Sequence, residues 1–281
     1  MLSRKKFVTL ASLGLLSPLT ALATQPCANS APRTLALDLA GVKAVVFEVE
    51  SHDLRLNASA GAKGQITGRA CAYDAKALEE LTVTQARQGD KLLVKLHRAG
   101  PTFKLFGDHY AYLDVTGSLP DNLPVQLIVG SGDAEISGAA IVSADVGSGD
   151  ARVRNTRGLV AAEVGSGDIE VDDAGSLKVI TIGSGDIESH GIRGSVDVGD
   201  IGSGDFDLER GTGDVRIKSI GSGNATLSGV GGQVWVGSIG SGDVDVRDVR
   251  GGLKVDKIGS GGVRHTGVAG EVSLPKNHQG D

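Results

Sequence analysis

The chain has 281 residues, of which 3% are aromatic and 43 are glycine, and its formal net charge is −6. So few aromatics among so many glycines exclude a thick globular core and suit a thin one of Val, Ile, Leu and Ala with tight turns at short intervals. The acidic balance argues against nucleic acid as a partner, because phosphates repel it, and against electrostatic attachment to anionic lipid.

Residues 1–23 read as a signal peptide. Arg4, Lys5 and Lys6 form a basic start, Phe7 to Leu16 an apolar stretch, and Ala21-Leu22-Ala23 a small-x-small cleavage site. Ser12, Gly14, Ser17 and Pro18 interrupt a run already short for a membrane span, so no transmembrane span is expected after cleavage. Thr24-Gln25-Pro26 before Cys27 does not form a lipid-attachment motif. Cleavage removes three positive and no negative charges and takes the net charge from −6 to −9. The expectation is an exported protein, periplasmic or on the cell surface. Cys27 and Cys71 are an even pair in an exported chain and predict one disulfide, tying the mature N-terminus to the first domain.

Residues 24–129 read as a β-rich N-terminal region that caps the repeats beginning at Gly130. Val42 to Glu50, Leu54 to Leu56, Gln65 to Ala72, Leu81 to Gln85, Leu92 to Leu96, Tyr110 to Val115 and Val125 to Val129 are strand-like runs. Gly61, Gly64, Gly89-Asp90, Gly100-Pro101 and Pro120-Asp121-Asn122 separate them, and Ala75 to Glu80 offers one helical turn.

From Gly130 to about Pro275 the chain repeats. Corners begin at Gly130, Gly147, Gly165, Gly183, Gly202, Gly221, Gly240 and Gly259, spaced 17 to 19 residues apart, and six of the eight read Gly-Ser-Gly-Asp. After each corner, apolar residues alternate with polar ones, as in Ile169-Glu-Val171 and Val244-Asp-Val246. A second strand comes next in each lap, with inward columns Val196, Val215, Val234, Leu253, Val272 and Val198, Ile217, Val236, Val255, Leu274. Strict alternation is the mark of a strand with one buried face. A repeat near 20 residues with two strands per lap predicts an all-β, single-stranded parallel β-helix of about eight laps, a β-solenoid, coiled right-handed. The hexapeptide solenoid does not fit, since the inward residues come in pairs two apart and the laps drift in length. Residues 276–281 form a polar tail.

Stacking the corners would align Asp133, Asp150, Asp168, Asp186, Asp205 and Asp243 in one row, interrupted by Asn224 and ended by Gly262. Such a row of carboxylates is a candidate Ca²⁺ site. The competing reading is structural and stronger: glycine supplies positive φ, while Ser and Asp bond to the turn's own backbone. Calcium-binding nonapeptide repeats place Asp differently and recur every nine residues, so no cofactor is expected. Arg157, Arg193 and Arg250 near the second corner are a candidate anion row, with a solvated face as the alternative. Trp235, the single tryptophan, falls in an outward column and is a candidate glycan contact. The six histidines lack metal-ligand spacing, and neither a nucleophile elbow, a phosphate loop nor a zinc motif occurs. The chain is therefore read as a non-enzyme.

The Gly-Ser-Gly-Asp corner with its alternating strands resembles the "putative adhesin" family of bacterial envelope β-strand-repeat proteins, a domain of unknown function. The resemblance runs from about Val42 to Leu274 and is strongest from Gly130 to Gly262. It implies an exported parallel β-helix with a β-rich N-terminal part and carries over no catalytic residue. The resulting expectation is an envelope protein whose rigid solenoid face meets a partner protein or a glycan. A self-assembling structural element, joined through an open solenoid end, is the second reading. A polysaccharide-active β-helix enzyme is the third and weakest, since the laps are uniform and carry no long insertion.

Overall fold

A computed structural model describes residues 27–100 and 110–275. Residues 1–23, read above as a signal peptide, and the tail 276–281 lie outside the described residues. In chain order the N-terminal region holds β1 (Asn29–Ala36), β2 (Ala44–Val49), β3 (Asp53–Ser59), β4 (Gln65–Ala72), α1 (Ala75–Glu80), β5 (Leu81–Gln88), β6 (Lys91–Arg98) and β7 (Ala111–Pro120). Asp74 caps α1 by accepting the Ala77 N–H at 2.6 Å. The repeats then supply β8 (Val125–Val129), β9 (Asp133–Ser137), β10 (Val142–Val146), β11 (Asp150–Arg154), β12 (Leu159–Val164) and β13 (Asp168–Asp172). After these come β14 (Ser176–Ile182), β15 (Asp186–Ile192), β16 (Val196–Ile201), β17 (Phe206–Gly211), β18 (Val215–Ile220) and β19 (Ala225–Val230). The last are β20 (Val234–Ile239), β21 (Asp243–Val249), β22 (Leu253–Ile258), β23 (Gly262–Val268) and β24 (Val272–Ser273).

These strands form two 12-stranded sheets. Sheet A runs β1-β4-β7-β3-β9 and then through every odd strand to β23; sheet B runs β5-β6-β2-β8 and then through every even strand to β24. The chain alternates between the two, so each lap lays one parallel strand on each sheet. This is the expected parallel β-solenoid. Parallel stacking also continues below Gly130. The pair β2–β3 lies under β8–β9, and β6–β7 lies under β2–β3.

The core is the set of inward columns. Ala134, Ala151, Ile169, Ile187, Phe206, Ala225 and Val244 are buried on sheet A, and face buried residues such as Val142, Val160, Leu177, Val196, Val215, Val234 and Leu253 on sheet B. Each lap buries only a few side chains, so the apolar area accumulates along the axis rather than within a lap. Ser189 takes an inward position without penalty because its Oγ donates to Asp207 O at 2.9 Å. Thr156 does not fare as well. Its side chain is 1% exposed in the same corner column as Ala139, Ala174 and Ile192, and among the described residues its Oγ1 has no partner. Thr156→Val keeps the shape and deletes the orphan hydroxyl. It should stabilise the protein by about 1 kcal/mol, raising the melting temperature by roughly 2–4 °C; a fall in melting temperature would contradict this account of Thr156.

The laps lengthen along the rod, and the sheets show where. Between β12 and β14 the register shifts at Ala162/Val164, adding one outward residue to each later sheet B strand. From there on two outward residues stand side by side, as in Gly237-Ser238 before the buried Ile239.

The corners are built differently from the expectation. Positive φ does not occur in the Gly-Ser-Gly turn. It occurs once per lap at the second corner, at Gly138, Asn155, Asp173, Gly191, Arg210, Gly229, Asp248 and Gly267. The third residue of Gly-Ser-Gly is glycine for space instead. A Cβ on Gly149 would lie 1.9 Å from Gly132 O, and a Cβ on Gly204 1.8 Å from Gly185 O. Successive turns rest backbone on backbone, and only hydrogen fits between them.

The two ends differ. At the N-terminal end β1, β4 and β5 run antiparallel to their neighbours. Side chains sew β1 and the segment after it to β5 and α1. Arg33 donates to Leu81 O at 2.9 Å and Leu78 O at 2.8 Å, Gln85 Nε2 to Ala36 O at 2.9 Å, and Arg87 to Ala40 O at 2.8 Å. The predicted disulfide is present: Cys27 and Cys71 join β1's start to β4, with Cα atoms 5.6 Å apart. At the other end β23 is the outermost strand of sheet A, and its inward-register residue His265 is exposed.

Candidate functional site

The six corner aspartates do form one row. Asp133 pairs in register with Asp150, Asp150 with Asp168, and Asp168 with Asp186, at the first position of each sheet A strand. Their bonds are not to their own turns, as expected from turn chemistry. From Asp168 onward each carboxylate accepts the backbone N–H of the equivalent residue one lap on. Asp168 Oδ1 takes Asp186 N–H at 3.2 Å, Asp186 takes Asp205 at 2.8 Å, Asp205 takes Asn224 at 2.8 Å, and Asp243 takes Gly262 at 2.8 Å. Asn224 fits the ladder because its Oδ1 accepts Asp243 N–H at 3.1 Å. A neutral amide thus makes the same bond, so the ladder requires an acceptor and not a charge. Among the described residues no three His, Cys, Asp or Glu side chains converge as a metal-ion set.

Two members of the row carry no repeat signal in the sequence. Asp53 pairs with Asp133 on one side and Asp114 on the other. The first-lap corner reads Glu50-Ser51-His52-Asp53, without a glycine. Partial burial raises the Asp53 pKa above the usual carboxylate value, helped by the charges of Asp133 and Asp114 and opposed by Arg55.

His52 occupies the place where later corners have the second glycine of Gly-Ser-Gly. It is 1% exposed, and its Nδ1 accepts the Leu113 N–H at 3.3 Å. Burial, with smaller contributions from His97 and Arg98, lowers its pKa from 6.5 to about 4, against a backbone hydrogen bond at Ser51. A histidine whose folded pKa lies below its unfolded value contributes stability above pH 6.5, and that contribution is lost as pH falls toward 4. Between pH 7 and pH 5 His52 should cost the fold about 2 kcal/mol. His52→Asn keeps an acceptor for Leu113 and does not titrate. Denaturant midpoints at the two pH values should therefore converge in the variant. An unchanged pH dependence would contradict this assignment.

Outside the ladder, sheet A carries a charge lattice. Arg154 reaches Glu135 at 2.5 Å, Asp172 at 3.3 Å and Glu170 at 3.7 Å, while Arg152 pairs with Glu170. Exposed pairs of this kind contribute about 0–1 kcal/mol each and chiefly keep the register unique. Two of the three arginines of the second corner are engaged within the fold. Arg157 is tied to the carboxylate and carbonyl of Asp121, and Arg193 donates to Thr156 O at 2.9 Å.

Trp235 lies on the outer face of sheet B, half-buried, in register between Arg216 and Lys254. Its indole N–H donates to Asp256 Oδ2 at 3.0 Å. Lys254 holds the other oxygen of that carboxylate at 3.0 Å, and this contact, aided by the indole and opposed by partial desolvation, keeps the Asp256 pKa below its usual value.

No family model matches this chain, and no curated relative does. Solved structures are similar to it at low identity. A "putative adhesin" from Parabacteroides merdae is 14% identical with a TM-score of 0.53, over 85% of this chain and 97% of that one. A "putative adhesin" from Bacteroides fragilis is 14% identical with a TM-score of 0.42, over 89% and 99%. A "putative lipid binding protein" from Parabacteroides distasonis is 14% identical with a TM-score of 0.49, over 88% and 98%. At 14% identity the structure from Parabacteroides merdae, with its TM-score of 0.53, supports the fold alone.

Proposed function

We propose that this is a non-enzymatic, exported envelope protein that presents the outer faces of a rigid solenoid to a partner protein or a glycan, in the manner of an adhesin. The observation that carries the reading is the pair of uninterrupted strand faces. Uniform laps leave long, flat, polar surfaces with single anchors such as Trp235, and such surfaces suit extended contacts. The N-terminal basic, apolar and small-residue segment supports export, as does the disulfide. The shared fold with the structure from Parabacteroides merdae supports the adhesin comparison without fixing a ligand. The test is retention of labelled, folded protein on isolated bacterial envelopes and on host-type cell surfaces. Saturable binding is expected. Folded protein that binds neither surface overturns the reading.

The contrast between the two ends favours one second reading, self-assembly through the C-terminal end. Edge strands are templates for pairing, and among the described residues no side-chain bonds of the kind that sew β1 to β5 and α1 cover β23. Sedimentation velocity over a wide concentration range decides: a dimer that grows with concentration supports it, and a monomer throughout overturns it.

A further inference from the structure

Trp235 is held in place with more care than an outward residue needs. Its six-membered ring lies over Gly237, where an added Cβ would stand 3.1 Å from Cη2 and 3.4 Å from Cζ2. The glycine is in reach because residues two apart on a strand share one face. Asp256 fixes the tilt through the indole N–H, and Lys254 fixes Asp256. The Cη2–Cζ2 side of the ring is therefore seated on backbone, and the side chain stays partly exposed. None of this contributes to the core, which lies on the other side of the sheet.

Beside the indole, toward the start of β20, is a shallow hollow of about 570 Å³ lined by Gln233, Trp235, Gly252, Lys254, Glu271 and Ser273. That size falls within the range of ligand-binding clefts. Its polar lining is an amide, an ammonium, a carboxylate and a hydroxyl, which together donate and accept hydrogen bonds with little net charge. An aromatic face next to such a mixed set fits a sugar, whose C–H face stacks on the ring while its hydroxyls bond at the rim. Arg216 and Lys254 on either side of the indole disfavour a cationic ligand. The indole runs along β20 from residue 235 toward 237, and the hollow opens at 233. The span is roughly 13 Å at about 3.3 Å per residue, longer than one pyranose ring.

We infer that this end of sheet B is a subsite for a neutral, β1→4-linked pyranoside chain of two or more rings, whose all-equatorial substituents leave flat faces to lie along the strand. The inference rests on the surface-binding reading above and gives it a ligand class and a place. One flat aromatic anchor predicts weak affinity, with a dissociation constant on the order of 1 mM.

Because Trp235 is the only tryptophan, its fluorescence reports on the subsite directly. Cellotetraose and chitotetraose separate a plain from an N-acetylated chain, and maltotetraose, with its coiled α-linkage, is the control. A saturable change in emission with either β-linked sugar, and none with maltotetraose, is expected. In calorimetry Trp235→Ala should weaken the better sugar at least tenfold, while Trp235→Phe should restore most of that loss. Absence of saturation with both β-linked sugars at ten times the expected dissociation constant overturns the subsite, as does an equal response to maltotetraose or full binding by Trp235→Ala. If the sugars fail while envelope binding persists, the subsite is wrong and the surface-binding reading stands.

Discussion

Gly204→Val should unfold or severely loosen the rod, with a loss above about 4 kcal/mol and a melting temperature lower by ten degrees or more. The reason is contact rather than torsion. The new Cβ would stand 1.8 Å from Gly185 O. Relief requires spreading two laps whose strands are held about 4.8 Å apart by their ladders on both sheets. The matched control is Gly229→Asn in the second corner. Gly229 has φ +70, but a Cβ there meets nothing closer than 3.6 Å. Asn155 and Arg210 already hold that conformation in other laps, so the control should cost no more than about 1 kcal/mol. If thermal melting ranks the two variants the other way round, the packing account of the Gly-Ser-Gly corner is wrong.

Removing the disulfide with Cys27→Ala and Cys71→Ala together should cost about 2–4 kcal/mol. The cross-link closes a segment of 44 residues, so its loss releases the unfolded chain from a long loop constraint. It also frees one end of an edge strand. In the folded protein β1 pairs with β4, Ser30 opposite Cys71, and depends for the rest on Arg33 and Gln85. Hydrogen exchange should therefore rise first in β1, while the repeat region keeps its protection. Uniform loss of protection along the whole rod, or no change in stability, would contradict the view of the bridge as a fastener of the N-terminal cap.

The repeat region is legible in the sequence because its signal recurs. Inward columns such as Val196, Val215 and Val234 are one pattern read several times, and the lap-to-lap alignment cancels local ambiguity. The N-terminal region offers each element once. Its strand β1 gives no strand signal, for Asn29–Ala36 is polar, lacks an apolar stripe and contains Pro32, which an edge strand tolerates. The first lap is hidden because His52 replaces the corner glycine. The rod thus has two more stacked levels than its repeats announce. Within the site, the row of aspartates can be read from spacing, but the partners of its carboxylates cannot. The bond from Asp186 to the N–H of Asp205 joins groups 19 residues apart and exists only once the laps are stacked. The same holds for Trp235. Its outward column is plain in the sequence, while the bond from its indole to Asp256 joins residues 21 apart and exists only once β20 and β22 are paired.

The corner aspartates from Asp168 onward are rungs of a backbone ladder, and we propose that the row needs no cation. Thermal melting of chelator-treated protein, with and without Ca²⁺, tests it most directly, since a ligand that binds only the folded state raises the melting temperature. The ladder predicts no Ca²⁺-specific shift. A saturable rise with Ca²⁺ that Mg²⁺ does not reproduce would contradict it and make the row from Asp53 to Asp243 a cation site.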